Sequence, residues 1–497
     1  MRGTIGVLIW KGWTGRGTKP ATTAPWMESP EMDEDRTMHW VRLRETCCFR
    51  TVAALAAAIC LAGCASVSEK AYREEYRARH EALLAPPGFV DTAERFDGDS
   101  TLNDYLEYAF AHSPMVRGAF DRWKAAIERI PQARALEDPV LSFEYFIEQN
   151  DERYRASLTQ MLPAFGKLGL REMMAAAEAE AAMHDLEAMR FMVYDGVTKA
   201  FYEYHYLSRA IGVTADNLQL LAEIEAVAAS RYRTGVAPFA ELVKAQVEKD
   251  RIASELAALR DERGSKSALL AALLNLPRRD ALPWPKFVPS AQSAIDETAL
   301  AGSIRDLNPE LKTLDSAVAA REWRVKLARK SFLPDATMGM GWMVRPGADG
   351  RGDDSGASLM AGMTVPLWWN KYRSEAREAE AAANAAANER DDRLNMLKAD
   401  LSASVFKFHD AERRIRLFTE SIVPKAAQAL EVAKQEFSAG KTDFMTLVDA
   451  QRTLLDSMLM GERAAVDREI AIAEIGCCIG KYGGAVGTDG SAPALEK

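Results

Sequence analysis

Four stretches of the chain alternate apolar and polar positions with a period of two. In 140 to 148, Leu141, Phe143, Tyr145 and Ile147 share one face, with Ser142, Glu144 and Glu148 opposite. In 336 to 344, Ala336, Met338, Met340, Trp342 and Val344 oppose Thr337, Gly339 and Gly341. In 357 to 365, Ala357, Leu359, Ala361, Met363 and Val365 alternate with Ser358, Gly362 and Thr364. The stretch 154 to 162 alternates more weakly, with Gln160 on its apolar face. Each is near the ~9–11 residues that a tilted membrane strand needs. A half-buried sheet in a soluble domain gives the same pattern, so alternation alone leaves both readings open.

Elsewhere the pattern is helical. Residues 371 to 437 hold no Gly and one proline, Pro424, in an Ala-rich, charged composition that favours helix. About 65 residues at 1.5 Å each make a rod of roughly 100 Å. A matching rod runs from about 168 to 231, with Gly196 and Gly212 inside it. Pro424 predicts a kink in the second rod. Before each strand pair the sequence predicts a short helix, "LNDYLEYAFAH" or "DETALAGSIRDL". A second helix follows, over 115 to 136 and 310 to 331, with Pro in its first turn. Helices this long do not fold alone and must pack side by side.

These elements occur twice because the chain is duplicated. "SRYRTGVAPFAELVKAQ", 230 to 246, matches "KQEFSAGKTDFMTLVDAQ", 434 to 451. Tyr232 pairs with Phe437, Gly235 with Gly440, Phe239 with Phe444, Leu242 with Leu447, Val243 with Val448, Ala245 with Ala450 and Gln246 with Gln451, always at one separation. Upstream, Pro114 matches Pro309, Pro139 matches Pro334 and Pro163 matches Pro366. The Gly- and Asp-rich "RPGADGRGDDSG", 345 to 356, predicts a longer loop in the second copy. Four prolines in "LPRRDALPWPKFVPS", 276 to 290, mark the linker between copies. In each copy the Gly ends the long helix and the apolar spacing resumes after it. Leu242, Val243 and Gln246, with Leu447, Val448 and Gln451, are then expected to pack the return helices.

Composition narrows the class. The 497 residues are 48% hydrophobic and 27% charged, which excludes both a disordered chain and a helical membrane bundle. A net charge of −9 argues against a nucleic-acid partner. Arg42, Arg44 and Arg50 precede "TVAALAAAICLA", 51 to 62, an apolar run too short to span a bilayer. "LAGC", 61 to 64, follows and resembles the bacterial lipoprotein box, which implies lipidation of Cys64; an ordinary secretory signal cut near Ala62 is the alternative. Ala65 after that Cys implies outer-membrane sorting. Residues 1 to 37 do not fit a signal peptide, and Met38 is the expected start. Cys47, Cys48 and Cys60 precede the box, and Cys477 and Cys478 are adjacent, so neither a zinc site nor a disulfide framework is expected.

Downstream of the signal no stretch of about 18 apolar residues occurs, so any membrane crossing must use strands. Four strands cannot close a barrel, since the smallest have about eight. Open edges cannot face lipid. The chain is therefore expected to oligomerise, three copies giving twelve strands and a continuous tube of helices.

The lipoprotein box, the twofold strand–strand–long-helix repeat and the paired "Y-x-x-G … L-V-x-A-Q" pattern resemble the TolC-like outer-membrane efflux factors over about 100 to 482. The resemblance implies a mainly α homotrimer, with a twelve-stranded β-barrel in the outer membrane joined to an α-helical barrel through the periplasm. It implies an exit duct fed by an inner-membrane transporter, of the resistance-nodulation-division or ABC type, through a periplasmic adaptor. Thr234, Gly235 and Val236, with Ala439, Gly440 and Lys441, would then be the tips that meet the adaptor. Relatives close the periplasmic aperture with acidic residues past the second tip; Asp449 matches one such position, while Thr446 departs from the other. Lys244 is the counterpart of Asp449 in the first copy and a candidate latch for it. "PAFGKLGLR", 163 to 171, is similar to the heavy-metal branch. Met338, Met340, Met343, Met360 and Met363 could bind soft metals or simply face lipid.

Nothing points to an enzyme. His80, His112, His184, His205 and His409 are not spaced for metal or base work, and no nucleophile elbow, phosphate loop or dinucleotide fingerprint is present. No cofactor or metal is called for. The expected organisation is a misassigned start at 1–37, a signal peptide at 38–63 and an N-terminal segment at 64–99. A first repeat at 100–276, a linker at 277–294, a second repeat at 295–482 and a tail at 483–497 follow. A non-conducting coiled-coil lipoprotein scaffold and a protein-secretion duct are the competing functions. Replacing Cys64 by Ala should abolish labelling with a fatty-acid analogue; labelling that persists would refute the site.

Overall fold

The computed structural model describes residues 70–71, 73–75, 77–78, 96–147, 152–277, 282–289, 295–346 and 353–482. Cys64 and the signal segment lie outside them. The order is α1 (Leu102–His112), α2 (Pro114–Arg134), β1 (Val140–Tyr145), β2 (Tyr154–Leu162), α3 (Lys167–Arg233) and α4 (Phe239–Leu273). The second copy follows as α5 (Glu297–Leu307), α6 (Pro309–Lys330), β3 (Ala336–Pro346), β4 (Asp353–Met363), α7 (Trp369–Leu417), a π turn (Phe418–Ile422), α8 (Val423–Ser438) and α9 (Phe444–Ile479). Among the described residues no helix is long and apolar enough to cross a membrane.

Local chemistry sets the same boundaries twice. Ser113 and Asn308 cap α2 and α6 with their side chains, and Pro114 and Pro309 occupy the first turns, where no N–H is needed. Asn308 does a second job, donating from Nδ2 to the Cys478 carbonyl at 2.9 Å and tying the end of α9 to the α5–α6 corner. The first rod, α3, is one helix of 67 residues that absorbs Gly196 and Gly212 without interruption. The second rod is not simply kinked: the five-residue π turn stands immediately ahead of Pro424, where proline removes a helical donor. β4 begins at Asp353, inside the stretch that composition marks as loop. Pairing of Asp354 with Arg345 and of Gly356 with Met343 extends the ladder there and overrides weak strand propensity.

The core falls into three clusters. Tyr105, Trp123 and Phe201 are buried where α1 and α2 meet α3. Leu401, Phe408, Ile475 and Ile479 form the counterpart between α7 and α9, with Ile304 and Leu311. The third cluster joins the lower parts of α3, α4, α8 and α9 through Leu221, Ile252, Phe437 and Leu447.

Contacts between the two copies are made once and not reciprocated. α3 packs against both α2 and α6, whereas α7 packs against α6 and has no comparable contact with α2. α9 packs on α3, yet α4 does not pack comparably on α7. The sheet order is β1-β2-β3-β4, so β2 and β3 join the copies while, among the described residues, β1 and β4 each keep a free edge.

Buried charges stitch the joints. Lys167, at the start of α3, donates to Asp335 Oδ1 at 2.8 Å and to the Leu333 carbonyl at 3.0 Å. Asp335 Oδ1 also accepts from the Ala164 N–H at 2.6 Å. Near the far end, the buried Glu248 of α4 accepts from Arg452 of α9 and from Arg251. The Arg452 hydrogen bond, opposed by burial and aided by Arg251, holds the Glu248 carboxyl down to about 2. A depressed carboxylate stabilises fully above its unfolded value of about 4.3 and loses that contribution as pH falls through its folded value. Amide exchange in α4 and α9 should therefore stay protected at pH 5 and rise between about pH 4 and about pH 2. Glu248→Gln should raise it already at pH 7; unchanged protection in that variant would show that the ion cluster does not hold these helices.

Candidate functional site: the sheet and the helical tips

Strand register decides which side chains share a face. Antiparallel pairing sets Phe143, Ala156, Trp342 and Ala357 in one row and Leu141, Leu158, Met340 and Leu359 in the next. Tyr145, Tyr154 and Val344 extend this face one way, and Met338, Ala361, Ala336 and Met363 the other. The four alternating patterns thus merge into one largely apolar face, interrupted by Gln160, and most of it is uncovered: Leu359 is 87% exposed and Phe143 67%, while Val344 is buried. The opposite face carries Ser142, Ser157, Gly341 and Ser358 in one row and Thr159, Gly339 and Met360 in another. The glycines there make room for neighbours. A Cβ on Gly341 would lie 2.7 Å from Ser358 Oγ, and one on Gly339 2.9 Å from Thr159 Cγ2.

The same register breaks up the methionine cluster. Met338, Met340 and Met363 belong to the apolar face, and Met343 and Met360 to the other. The Met343 sulfur already accepts from Arg345 at 3.2 Å. Five thioethers therefore do not gather into one soft-metal site. Gly166 and Lys167 of the "FGKLGLR" segment are explained by the joint itself. Gly166 adopts φ +84° at the head of α3, where a Cβ would meet Lys330 Nζ at 2.5 Å, and Lys167 holds Asp335.

At the other end of the rods both glycines sit in the left-handed region, with φ +74° at Gly235 and +71° at Gly440. Each closes its helix with a Schellman pair. The Gly235 and Val236 N–H groups donate to the carbonyls of Tyr232 and Arg231, and those of Gly440 and Lys441 to Phe437 and Glu436. No atom lies within 4 Å of a Cβ built on either glycine, so backbone conformation alone requires them and the backbone stays open to a partner. Thr234, Val236, Ala439 and Lys441 are exposed beside them. The two tips are also tied together. Arg231 donates to the Phe437 carbonyl and lies over the Phe437 ring, 4.3 Å from its centroid. Sequence pairing gave no hint of this, because the second copy holds Glu436 where the first holds Arg231.

The matched motifs past the tips have different fates. Leu447, Val448 and Gln451 are buried, and Gln451 donates to Asn217 at 2.6 Å. Their counterparts are not packed as expected: Val243 and Gln246 are exposed and Leu242 is half-buried. Phe437 and Phe444 are core, yet the matching Tyr232 and Phe239 lie tilted against each other at the surface, ring centroids 5.2 Å apart. Burial in the second copy uses the first copy's helices; in the first copy nothing among the described residues takes that role. Asp449 and Lys244 are both exposed and make no ion pair with each other. Thr446 is occupied by the Asp443 cap of α9, which accepts from its N–H at 3.0 Å.

Comparison with known proteins agrees with this architecture. Residues 300–480 match the outer membrane efflux protein family. Among curated relatives, the pyoverdine export outer membrane protein OpmQ of Pseudomonas putida is 22% identical over 294 residues, 55% of this chain and 59% of that protein. The chain thus spans less than two thirds of that relative's length. The cobalt-zinc-cadmium resistance protein CzcC of Cupriavidus metallidurans is 24% identical over 344 residues, 66% of this chain and 78% of that one. Among solved structures, the outer membrane protein VceC of Vibrio cholerae superposes with a TM-score of 0.67 at 18% identity, covering 77% of this chain and 96% of its own. The second repeat thus matches the outer membrane efflux protein family, and most of the chain shares the fold of VceC.

Proposed function

We propose that the chain is the channel subunit of a tripartite efflux system, a passive duct through the outer membrane for small solutes or metal cations. The observation that carries this reading is the four-stranded sheet with one largely apolar face and two free edges. In hydrocarbon each unpaired backbone group costs several kcal/mol, so such a sheet must close by pairing β4 of one copy with β1 of the next. The unreciprocated helix contacts call for the same neighbour. The face of α7 that lacks an α2, and the open Tyr232, Phe239 and Val243 surface, are met by a second copy in a head-to-tail ring. Three copies supply twelve strands, within the range of closed barrels.

The remaining assignments follow. Cys64 anchors the chain to the outer membrane by lipid, with the rods in the periplasm. Thr234, Gly235, Val236, Ala439, Gly440 and Lys441 dock a periplasmic adaptor, which links the duct to an inner-membrane transporter. Asp449, without an ion pair among the described residues, forms an acidic ring at the aperture, while Lys244 is placed to modulate it across the seam. Transport through such a tube needs no catalytic residue. The names of the relatives, one a pyoverdine export protein and one a cobalt-zinc-cadmium resistance protein, favour small cargo over secreted protein.

The purified protein should run as a heat-modifiable trimer and conduct in planar bilayers; a monomer without conductance would leave the scaffold reading in its place. A Cβ at Gly440 meets no atom within 4 Å, so Gly440→Trp should leave the trimer intact, at a cost of about 1–2 kcal/mol for the left-handed backbone. Binding to the adaptor should fall at least tenfold in a pull-down titration, and an unchanged affinity would remove Gly440 from the docking surface.

A further inference from the structure

The small-residue face of the sheet changes character along its length. Toward the helices its rows are neutral: Met161, Thr337 and Gly362; then Thr159, Gly339 and Met360; then Ser142, Ser157, Gly341 and Ser358. Toward the β1–β2 and β3–β4 turns it becomes charged. Glu144 pairs in register with Arg155, and Arg345 with Asp354. Arg155 lies 3.6 Å from Glu144 and 2.5 Å from Glu152. Arg345 lies 3.6 Å from the same Glu152, which bridges the two guanidinium groups from β2 to β3. At that level the other face carries Tyr145, Tyr154, Val344 and Ser355. The register therefore sends this group of charges to the face opposite the apolar one.

We propose that Glu144, Glu152, Arg155, Arg345 and Asp354 form a belt of paired charges around the distal mouth of the duct, and that Arg155 and Arg345 determine its ion selectivity. The proposal rests on reading the sheet as one third of a barrel whose small-residue face lines the lumen. Charged side chains on the lipid side of a barrel are destabilising, whereas those on the lumen side tune selectivity. In the intact belt two arginines offset two of the three carboxylates of each copy, leaving one net negative charge per copy and a mild preference for cations. Without either arginine each copy leaves carboxylates uncompensated, repeated around the ring, and a charged ring favours cations.

The test is the reversal potential of single channels in planar bilayers under a KCl gradient. Wild type, Arg155→Gln, Arg345→Gln and Glu152→Gln would be compared, each first checked for the heat-modifiable trimer band. Either arginine variant should raise the cation-to-anion permeability ratio by roughly tenfold near 0.1 M salt. The shift should collapse at 1 M, where the screening length is about 3 Å. Glu152→Gln should move the reversal potential the opposite way, which keeps the test open if an arginine variant fails to assemble. A conducting wild type whose reversal potential none of the variants moves would overturn the belt. A wild type that does not conduct would instead overturn the channel reading beneath it.

Discussion

A backbone amide in hydrocarbon has no water to bond, and the sheet of this protein makes that constraint unavoidable. Its four strands turn every alternate apolar residue to one largely uncovered face, while β1 and β4 expose unpaired edges. The apolar face asks for lipid and the edges forbid it. In the proposed duct, closure with other copies meets both demands, and closure then dictates the rest. Strands curving into a shared cylinder would bring their helices into a shared ring, so that helix contacts that are single within the chain become paired around it. The long rods would carry the same ring away from the membrane.

The twofold plan was legible in the sequence because it rests on spacing. Period-two alternation located the four strands, uninterrupted helix formers located the rods, and paired glycines located the turns. The fate of each copy was not legible. Val243 and Val448 are identical residues in matched positions, yet one is surface and the other core. What differs is the surface opposite them, which depends on topology. The Asp353–Gly356 segment was hidden for a related reason: its composition says loop, and only the ladder with β3 makes it strand. Lys167 read as part of a substrate-linked motif until its partner, Asp335, appeared from the other copy.

The buried charges share a location. Lys167 with Asp335 joins the copies where sheet meets helix, and Glu248 with Arg452 joins them near the tips. Between these lies the buried Arg468, 2.6 Å from Glu469 on its own helix and 3.8 Å from Glu412 of α7. A buried ion pair adds little net stability over a good apolar contact, yet losing one partner is costly. Such pairs therefore fix the alignment of surfaces that alanine-rich packing alone would let slide. In a rod of roughly 100 Å, two such levels hold the two copies in register, and Arg468 fixes α9 to α7 between them.

The π turn has a geometric consequence for the second rod. The stretch from Pro366 to Gly440 is two residues longer than that from Pro163 to Gly235. In a straight α-helix each added residue turns everything beyond it by about 100° about the axis, which would swing Phe437 out of the core and the second tip away from the first. A wide turn takes up about one such residue within one loop of the spiral. Part of the added length is thus absorbed without loss of phase, and two hairpins of unequal length still meet at their ends.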